Sequence, residues 1–233
     1  MERESVMKSA RDTETGEARN KATGQTVSPN MHPGYRVTKR LFDVVASALA
    51  ILVFSPVMLI TALAIKIEDP HGKVLYKAPR GGKDRVPFAC YKFRSMYANA
   101  DAIKEQLMAQ NEMSGPVFKI TNDPRVTKVG RIIRKASIDE LPQLFNVFRG
   151  EMSFVGPRPL PIKEEEAVPE KYRGRELVKP GITCIWQVSG RNNIDFEDWM
   201  KLDLEYVQKQ SLLLDLKLLF QTIPAVLTNR GAS

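Results

Sequence analysis

From Val44 to Ile65 the chain runs for 22 residues without a charged side chain. As an α-helix such a segment is about 33 Å long, enough to cross a hydrocarbon core ~30 Å thick. No other stretch is long and apolar enough to enter a membrane. Two features argue against a simple crossing. Basic residues flank both ends, with Arg36, Lys39 and Arg40 before it and Lys66, Lys73, Lys77 and Arg80 after it. The tendency of cytoplasmic flanks to be positive then favours both ends on the same side. In addition, Ser55-Pro56 divides the segment into arms of 12 and 10 residues, about 18 and 15 Å long. Pro removes one helical hydrogen bond and clashes with the preceding turn. The residue before it is pushed from helical dihedrals, and a Ser hydroxyl can occupy a carbonyl freed in the preceding turn. The expected element over 36–68 is a helix–break–helix hairpin, broken at Ser55 and Pro56, that enters and leaves by one face. A kinked spanning helix is the alternative, since Pro is tolerated in membrane helices where neighbours satisfy the freed groups. Asp43 beside Arg40 reads as an interfacial ion pair.

Residues 1–35 are polar, with few aliphatics, and cannot bury enough surface to order themselves; they read as a disordered tail. No apolar core follows at the distance a secretory signal needs. The net charge is +8, which suggests an anionic partner: nucleic acid, anionic lipid or a phosphorylated substrate. Hydrophobic content of 43% excludes a wholly disordered chain, and 27% charged residues exclude a polytopic membrane protein. Cys90 and Cys184 are too few and too far apart for a disulfide scaffold. With only His32 and His71 besides, a zinc site lacks a ligand set. There is no phosphate-binding P-loop, no GxGxxG and no internal repeat.

Residues 69–233 read as one membrane-associated domain. "VLYKAPRGGKDRVPFACYKF" predicts two strands, about 74–78 and 86–93, turning at Gly81-Gly82. A helix is expected over 100–110. Asn122-Asp123-Pro124 signals a turn, followed by a short extended piece to 130. Another helix is expected from Ser137 to Gly150. "MSFVGPRPLP" reads as a proline-locked loop, and 178–193 as a short strand between turns. In the last segment, 212, 216, 219, 220, 223 and 227 are apolar at helical spacing. That helix either packs in the core or lies flat on a membrane surface. The fold class is α+β and mainly helical, with a re-entrant membrane hairpin, a small β-hairpin and interfacial amphipathic helices.

The chemistry is most legible at "SIDELPQ". Ser137 with Glu140 three residues on forms a capping box, and Asp139 falls in the same first turn. The plain reading is that these acids only complement a helix dipole. The functional reading is that adjacent carboxylates at a helix start hold a hard cation and favour phosphate chemistry nearby. A carboxylate can also attack phosphorus, splitting one hard displacement into two. Fixed positive charge surrounds the motif in the sequence: Lys92 and Arg94 in "YKFRSM", Arg134, Arg158 in "GPRP" and Arg191 in "SGRNN". Singly, each reads as a solvated charge. Pro157 and Pro159 change that for Arg158, because a rigid backbone pre-organises a guanidinium for bidentate phosphate binding.

With these residues in place the chain resembles the bacterial sugar transferases, the monotopic polyprenyl-phosphate phosphoglycosyl transferases. The likeness runs from "KRLFDVVASALAILVFSPVMLITALAIKI" through "YKFRSM", "NDPRVTKVGRIIRKASIDELPQLFNVFRGEMSFVGPRPLP" and "VKPGITCIWQVSGRNNIDF" to "KLDLEYVQKQSLLLDLKLLFQTIPAVL". It covers about 36–229. The resemblance implies an enzyme on the cytoplasmic face of the bacterial inner membrane. Such an enzyme moves a sugar-1-phosphate from a nucleotide diphosphate sugar, expected to be a UDP-sugar, to polyprenyl (undecaprenyl) phosphate and releases nucleoside monophosphate. It places the reaction at the first membrane step of exopolysaccharide, capsule or glycan assembly. It further implies Asp139 as nucleophile and Mg²⁺ ligand, Glu140 as its partner, and Ser55 and Pro56 as the membrane-helix break. Arg158 and Arg191 would contact phosphate or substrate, with Lys92, Arg94 and Arg134 as further cations. Many relatives carry an additional N-terminal block of membrane helices, and the chain is expected to be the minimal catalytic form without it. Cys184, in "GITC" where some relatives have "GITG", receives no role.

The expected partners are nucleotide sugar, polyprenyl phosphate and membrane lipid, with no nucleic acid; a homodimer stays open. A competing reading is a membrane-tethered basic binding protein without catalysis. It leaves the carboxylate pair and the proline-locked Arg158 without a purpose, and "YKFRSM" lacks the aromatic interleaving of a stacking surface.

Overall fold

The computed structural model describes residues 18–19, 26–30, 32–97, 100, 103, 106–107, 111–112, 115–118, 120, 123–190 and 194–227. Two short paired strands, β1 (Ala18–Arg19) and β2 (Thr26–Val27), precede the long helix α1 (Pro33–Glu68). Pro33 suits a first helical position because its missing N–H would be unpaired there anyway. His32 Nδ1 accepts from the Gly34 N–H. The described part of the expected tail is not without structure. Val27 is buried, and Asn30 donates its side-chain amide to Gln210 O.

Among the described residues α1 is the one helix long and apolar enough to cross a membrane. The structure departs from two separate helices: α1 is continuous, with Pro56 inside it. The local chemistry is as expected. Pro56 has no N–H for Leu52 O four residues back, and the Ser55 hydroxyl donates to that carbonyl at 2.8 Å. Buried positions on α1 are Tyr35, Asp43 and Ser47 in the first arm and Thr61 and Ile65 in the second, with none between Ser47 and Thr61. Both arms grip the same domain. Arg40 donates to Val147 O and Phe148 O, while Ile65 packs on Phe93 and Ile133. Asp43 does not pair with Arg40; its carboxylate accepts from the Ser153 hydroxyl and the Phe154 N–H.

The hairpin is present as β3 (Leu75–Arg80) and β4 (Phe88–Phe93), antiparallel from Leu75↔Phe93 to Arg80↔Phe88. Asp84 and Arg85 turn the chain with positive φ. Most of the expected 100–110 helix lies outside the described residues. The extended piece expected up to 130 is present but shorter: Val126 bridges Met96 and Thr127 is extended, and a helix, α2 (Lys128–Lys135), begins directly after them. Its N-terminal amides are capped twice. Thr127 Oγ1 accepts from Gly130 N–H, and Glu68, the last residue of α1, accepts from Lys128 and Val129 N–H.

After a 3-10 turn, Ile138–Glu140, comes α3 (Gln143–Arg149), stopped by Gly150 with φ of 87°. The following loop opens with β5 (Ser153–Val155), then α4 (Ile162–Glu166) and a 3-10 stretch, Glu170–Leu177. Strand β6 (Gly181–Thr183) runs parallel to β5. A Cβ on Gly181 would lie 2.1 Å from Gly156 N, so only glycine admits this approach. Short helix α5 (Ile185–Ser189) leads to α6 (Phe196–Lys209) and α7 (Leu212–Leu227). The core is built where these elements meet: Ala78, Cys90, Val147 and Met152 in one cluster, Val155, Tyr206 and Leu218 in another.

Helix α7 is turned with its acid inward. Asp215 is buried and accepts from Lys39, Tyr35 and Tyr206. Its apolar positions Leu213, Leu216, Phe220 and Ile223 are exposed.

Candidate active site

The expected capping box does not form. Ser137 is left-handed, with φ of 55°, and its side chain makes no capping bond. Pro142 follows the acids too closely for a helix to start at Ser137, since it has no N–H to give to Ile138 O four residues back. Asp139 and Glu140 therefore lie on a one-turn 3-10 element between α2 and α3. Both line a cleft of about 2140 Å³. The dyad and its cations form the polar part, while Phe54 and Val57 of α1 and Ala225 of α7 contribute apolar wall.

The two carboxylates are treated differently. Glu140 Oε1 accepts from Lys92 Nζ at 2.7 Å and from Arg158 Nη2 at 2.8 Å. Burial alone would raise its pKa, but Arg158 and Lys92 outweigh it and hold the group well below the usual carboxylate range. Asp139 is buried too, yet among the described residues no hydrogen bond or ion pair reaches it. Burial lifts its pKa from 3.8 to about 6; Glu140 adds to the rise, while Lys92, Arg134 and Arg158 oppose it. A buried carboxylate with no partner among the described residues and cations near it has the chemistry that a nucleophile or a ligand needs.

Three separate parts of the chain position this group. Lys92 comes from β4, held in register by the hairpin. Arg158 comes from the loop after β5, where Gly181 N–H donates to Pro157 O and Arg175 Nη2 donates to Arg158 O at 2.5 Å. Arg175 is itself fixed by Glu165 and Asp203. Arg134, from α2, lines the cleft and donates to Ser95 Oγ at 2.9 Å.

Of the expected site residues, Lys92, Arg134, Asp139, Glu140 and Arg158 are thus brought together. Arg94 is not; it lines the cleft, but its guanidinium is held by Asp69 just beyond α1. Arg191 lies outside the described residues. Ser55 and Pro56 lie between Phe54 and Val57, so the helix break adjoins the cleft wall. Arg175 and the buried pair Asp123–Arg125 were not anticipated. For Arg175 the only signal was a basic residue close before "VKPGIT".

As to a metal, no group of three His, Cys, Asp or Glu side chains converges among the described residues. Mg²⁺ is commonly held by one or two carboxylates together with substrate phosphates. The free carboxylate of Asp139 fits that limited role, while Glu140 is occupied by its cations.

Comparison with known proteins shows the family. The sequence profile of the family described as "Bacterial sugar transferase" matches residues 34–229. The undecaprenyl-phosphate galactose phosphotransferase of Salmonella typhimurium is 42% identical over 201 residues, covering 84% of this chain and 42% of that protein. The exopolysaccharide production protein ExoY of Rhizobium meliloti is 42% identical over 200 residues, covering 84% of this chain and 88% of ExoY. A UDP-glucose:undecaprenyl-phosphate glucose-1-phosphate transferase from Caulobacter vibrioides is 42% identical over 203 residues, covering 83% of this chain and 71% of that protein. The chain thus spans less than half the length of some curated relatives and most of the length of others. On that match and these identities, the chain belongs to the bacterial sugar transferase family.

Proposed function

We propose that the protein is a phosphoglycosyl transferase. It transfers a sugar-1-phosphate from a nucleotide diphosphate sugar, a UDP-sugar, to undecaprenyl phosphate and releases nucleoside monophosphate. The observation that carries this reading is the division of labour in the dyad: Glu140 is clamped by Lys92 and Arg158, while Asp139, in the same cleft, has no partner among the described residues. An Asp139 oxygen attacks the sugar-bearing phosphorus, and the bond from that phosphorus to the bridging oxygen breaks. The bridging oxygen leaves with the nucleoside phosphate. In the second step an oxygen of undecaprenyl phosphate attacks the same phosphorus, and the bond to Asp139 breaks. Glu140 keeps the ammonium of Lys92 and the guanidinium of Arg158 aimed at phosphate oxygens. Mg²⁺ bound at Asp139 and the substrate phosphates would offset the repulsion between carboxylate and phosphates.

The second substrate is a lipid, and the proposed location is the cytoplasmic face of the inner membrane, with α1 as a re-entrant hairpin. Support comes from the burial at both arms of α1 with a bare middle, and from the Ser55–Leu52 bond at the proline. Phe54 and Val57 line the same cleft as the dyad, and the apolar face of α7 is turned outward. An enzyme whose substrates meet at an interface benefits from an anchor that returns to the side it came from.

The deciding experiment incubates detergent-solubilised protein with a panel of nucleotide sugars and polyprenyl phosphate. Nucleoside monophosphate and a lipid-linked diphosphosugar are expected. Release of nucleoside diphosphate, no turnover of any donor, or undiminished activity in excess chelator would each overturn the corresponding part of the reading.

A further inference from the structure

Every cation described so far around the dyad has a side-chain partner. Lys92 and Arg158 share Glu140, Arg94 holds Asp69, and Arg134 donates to Ser95. Arg80 is different. It ends β3, opposite Phe88, and forms an isolated bridge with Pro161. It lines the cleft, partly buried, and its one side-chain hydrogen bond among the described residues runs from Nη1 to Pro159 O at 3.4 Å, longer than a good N–H···O bond. Among the described residues no carboxylate comes within ion-pair distance of it. Glu164 and Glu140 attract it from further away, and Arg158 repels it. A partly buried guanidinium near another, with no counter-ion among the described residues, is unfavourable and is a candidate for an anion that arrives from outside.

Position decides which anion. Arg158 is the common neighbour: it acts on Asp139 through space, and the Arg80 hydrogen bond runs to the residue after it. Arg80 itself is not among the charges acting most strongly on Asp139. A diphosphate whose sugar-bearing phosphorus meets Asp139 can extend its other phosphate past Arg158 toward Arg80. We propose that Arg80 is the subsite for the leaving phosphate, the one that departs with the nucleoside. The inference rests on the reaction proposed above. As the Asp139 oxygen–phosphorus bond forms and the bond to the bridging oxygen breaks, that oxygen keeps the electron pair. The departing phosphate then goes from one negative charge to two, with no proton transferred. The two-pronged guanidinium of Arg80 matches a dianionic phosphate better than the monoanionic group it came from.

The test compares wild type, Arg80→Gln and Arg80→Lys, using UDP-sugar as donor and UMP as inhibitor. Arg80→Gln should raise the UMP inhibition constant about tenfold or more and slow single-turnover UMP release at least as much, as expected for a lost bidentate contact. The KM for polyprenyl phosphate should stay within about twofold, because this contact is not made to the acceptor. Arg80→Lys should lie between, keeping charge without the fork. Unchanged UMP inhibition and unchanged single-turnover release in Arg80→Gln would overturn the assignment. If thermal melting shows that variant unfolded, wild-type inhibition and release in Arg80→Lys would overturn it instead. A wild-type protein that releases UDP, or nothing, condemns the proposed reaction; a wild type that releases UMP beside unaffected variants condemns only Arg80.

Discussion

Glu140 takes two cations on a single oxygen, and among the described residues its neighbour Asp139 takes none. Adjacent in sequence, they sit on opposite sides of an electrostatic divide, and the first predictions test that difference.

Asp139→Asn keeps the size of the side chain and removes the attacking charge. Turnover should fall by about three orders of magnitude or more, with donor binding less affected. Wild type given donor alone should release nucleoside monophosphate up to enzyme stoichiometry and then stall. Mass spectrometry should find a phosphosugar on the peptide containing Asp139. A folded Asp139→Asn protein with near-normal turnover would remove Asp139 from the mechanism.

The same residue ties activity and stability to pH. Burial raises Asp139 from 3.8 to about 6, so its ionised form opposes folding. That cost is absent below 3.8, grows as pH rises, and is complete above about 6. In chelator, Asp139→Asn should therefore melt higher than wild type at neutral pH, and the gap should close as pH falls through that window. Single-turnover rate in wild type should decline as pH drops through about 6, where the nucleophile takes up its proton. A flat melting difference across this range would contradict the burial argument.

Topology can be read from labelling. Lys39 is engaged with Asp215, Val155 and Tyr206, so exposed Arg36 and Lys73 are better sites for introduced cysteines. Both should react only from the cytoplasmic side. Pro56→Ala returns a donor to Leu52 O, relieving a defect worth ~3 kcal/mol in a helix interior. It should drive part of the population to a spanning form in which position 73 reacts from outside. Outside labelling of position 73 in the unmodified background would rule out re-entry.

Arg175 holds the carbonyl of Arg158 and is buried against Glu165 and Asp203. Arg175→Met strands two buried carboxylates and should cost about 3–5 kcal/mol. Arg175→Lys keeps charge but cannot reach all partners; it should fold and show lower kcat with little change in donor KM. A melting midpoint in Arg175→Met equal to wild type would show that the network is not structural.

Much of this was legible locally. Gly81-Gly82 announced the hairpin, Gly150 the end of α3, and Ser55-Pro56 the donor that Leu52 O receives. Arg158 between two prolines does meet the dyad. The misses came from competition that short windows do not display. A Ser-x-x-Glu pattern looks like a capping box, but Pro142 cuts off the helix it would cap. Helix α2 was hidden by Gly130, whose lack of a side chain admits Ser95 O where a Cβ would lie 2.0 Å away. The β5–β6 pairing joins residues nearly thirty positions apart, and the setting of Arg80, with no counter-ion among the described residues, exists only once the loops have met.

The polar end of α1 has a consequence for modularity. Lys39 satisfies buried Asp215, Arg40 binds two carbonyls of α3, and Asp43 accepts from Ser153 and Phe154 in β5. A foreign anchor of equal greasiness would leave the α3 carbonyls and the β5 donors without these partners and strip Asp215 of its cation, leaving it Tyr206, at about 1–3 kcal/mol for each buried group. Long helix and folded domain in this chain are not tether and cargo; exchanging α1 for a relative's would succeed only if the graft carried its own matching residues at 39, 40 and 43.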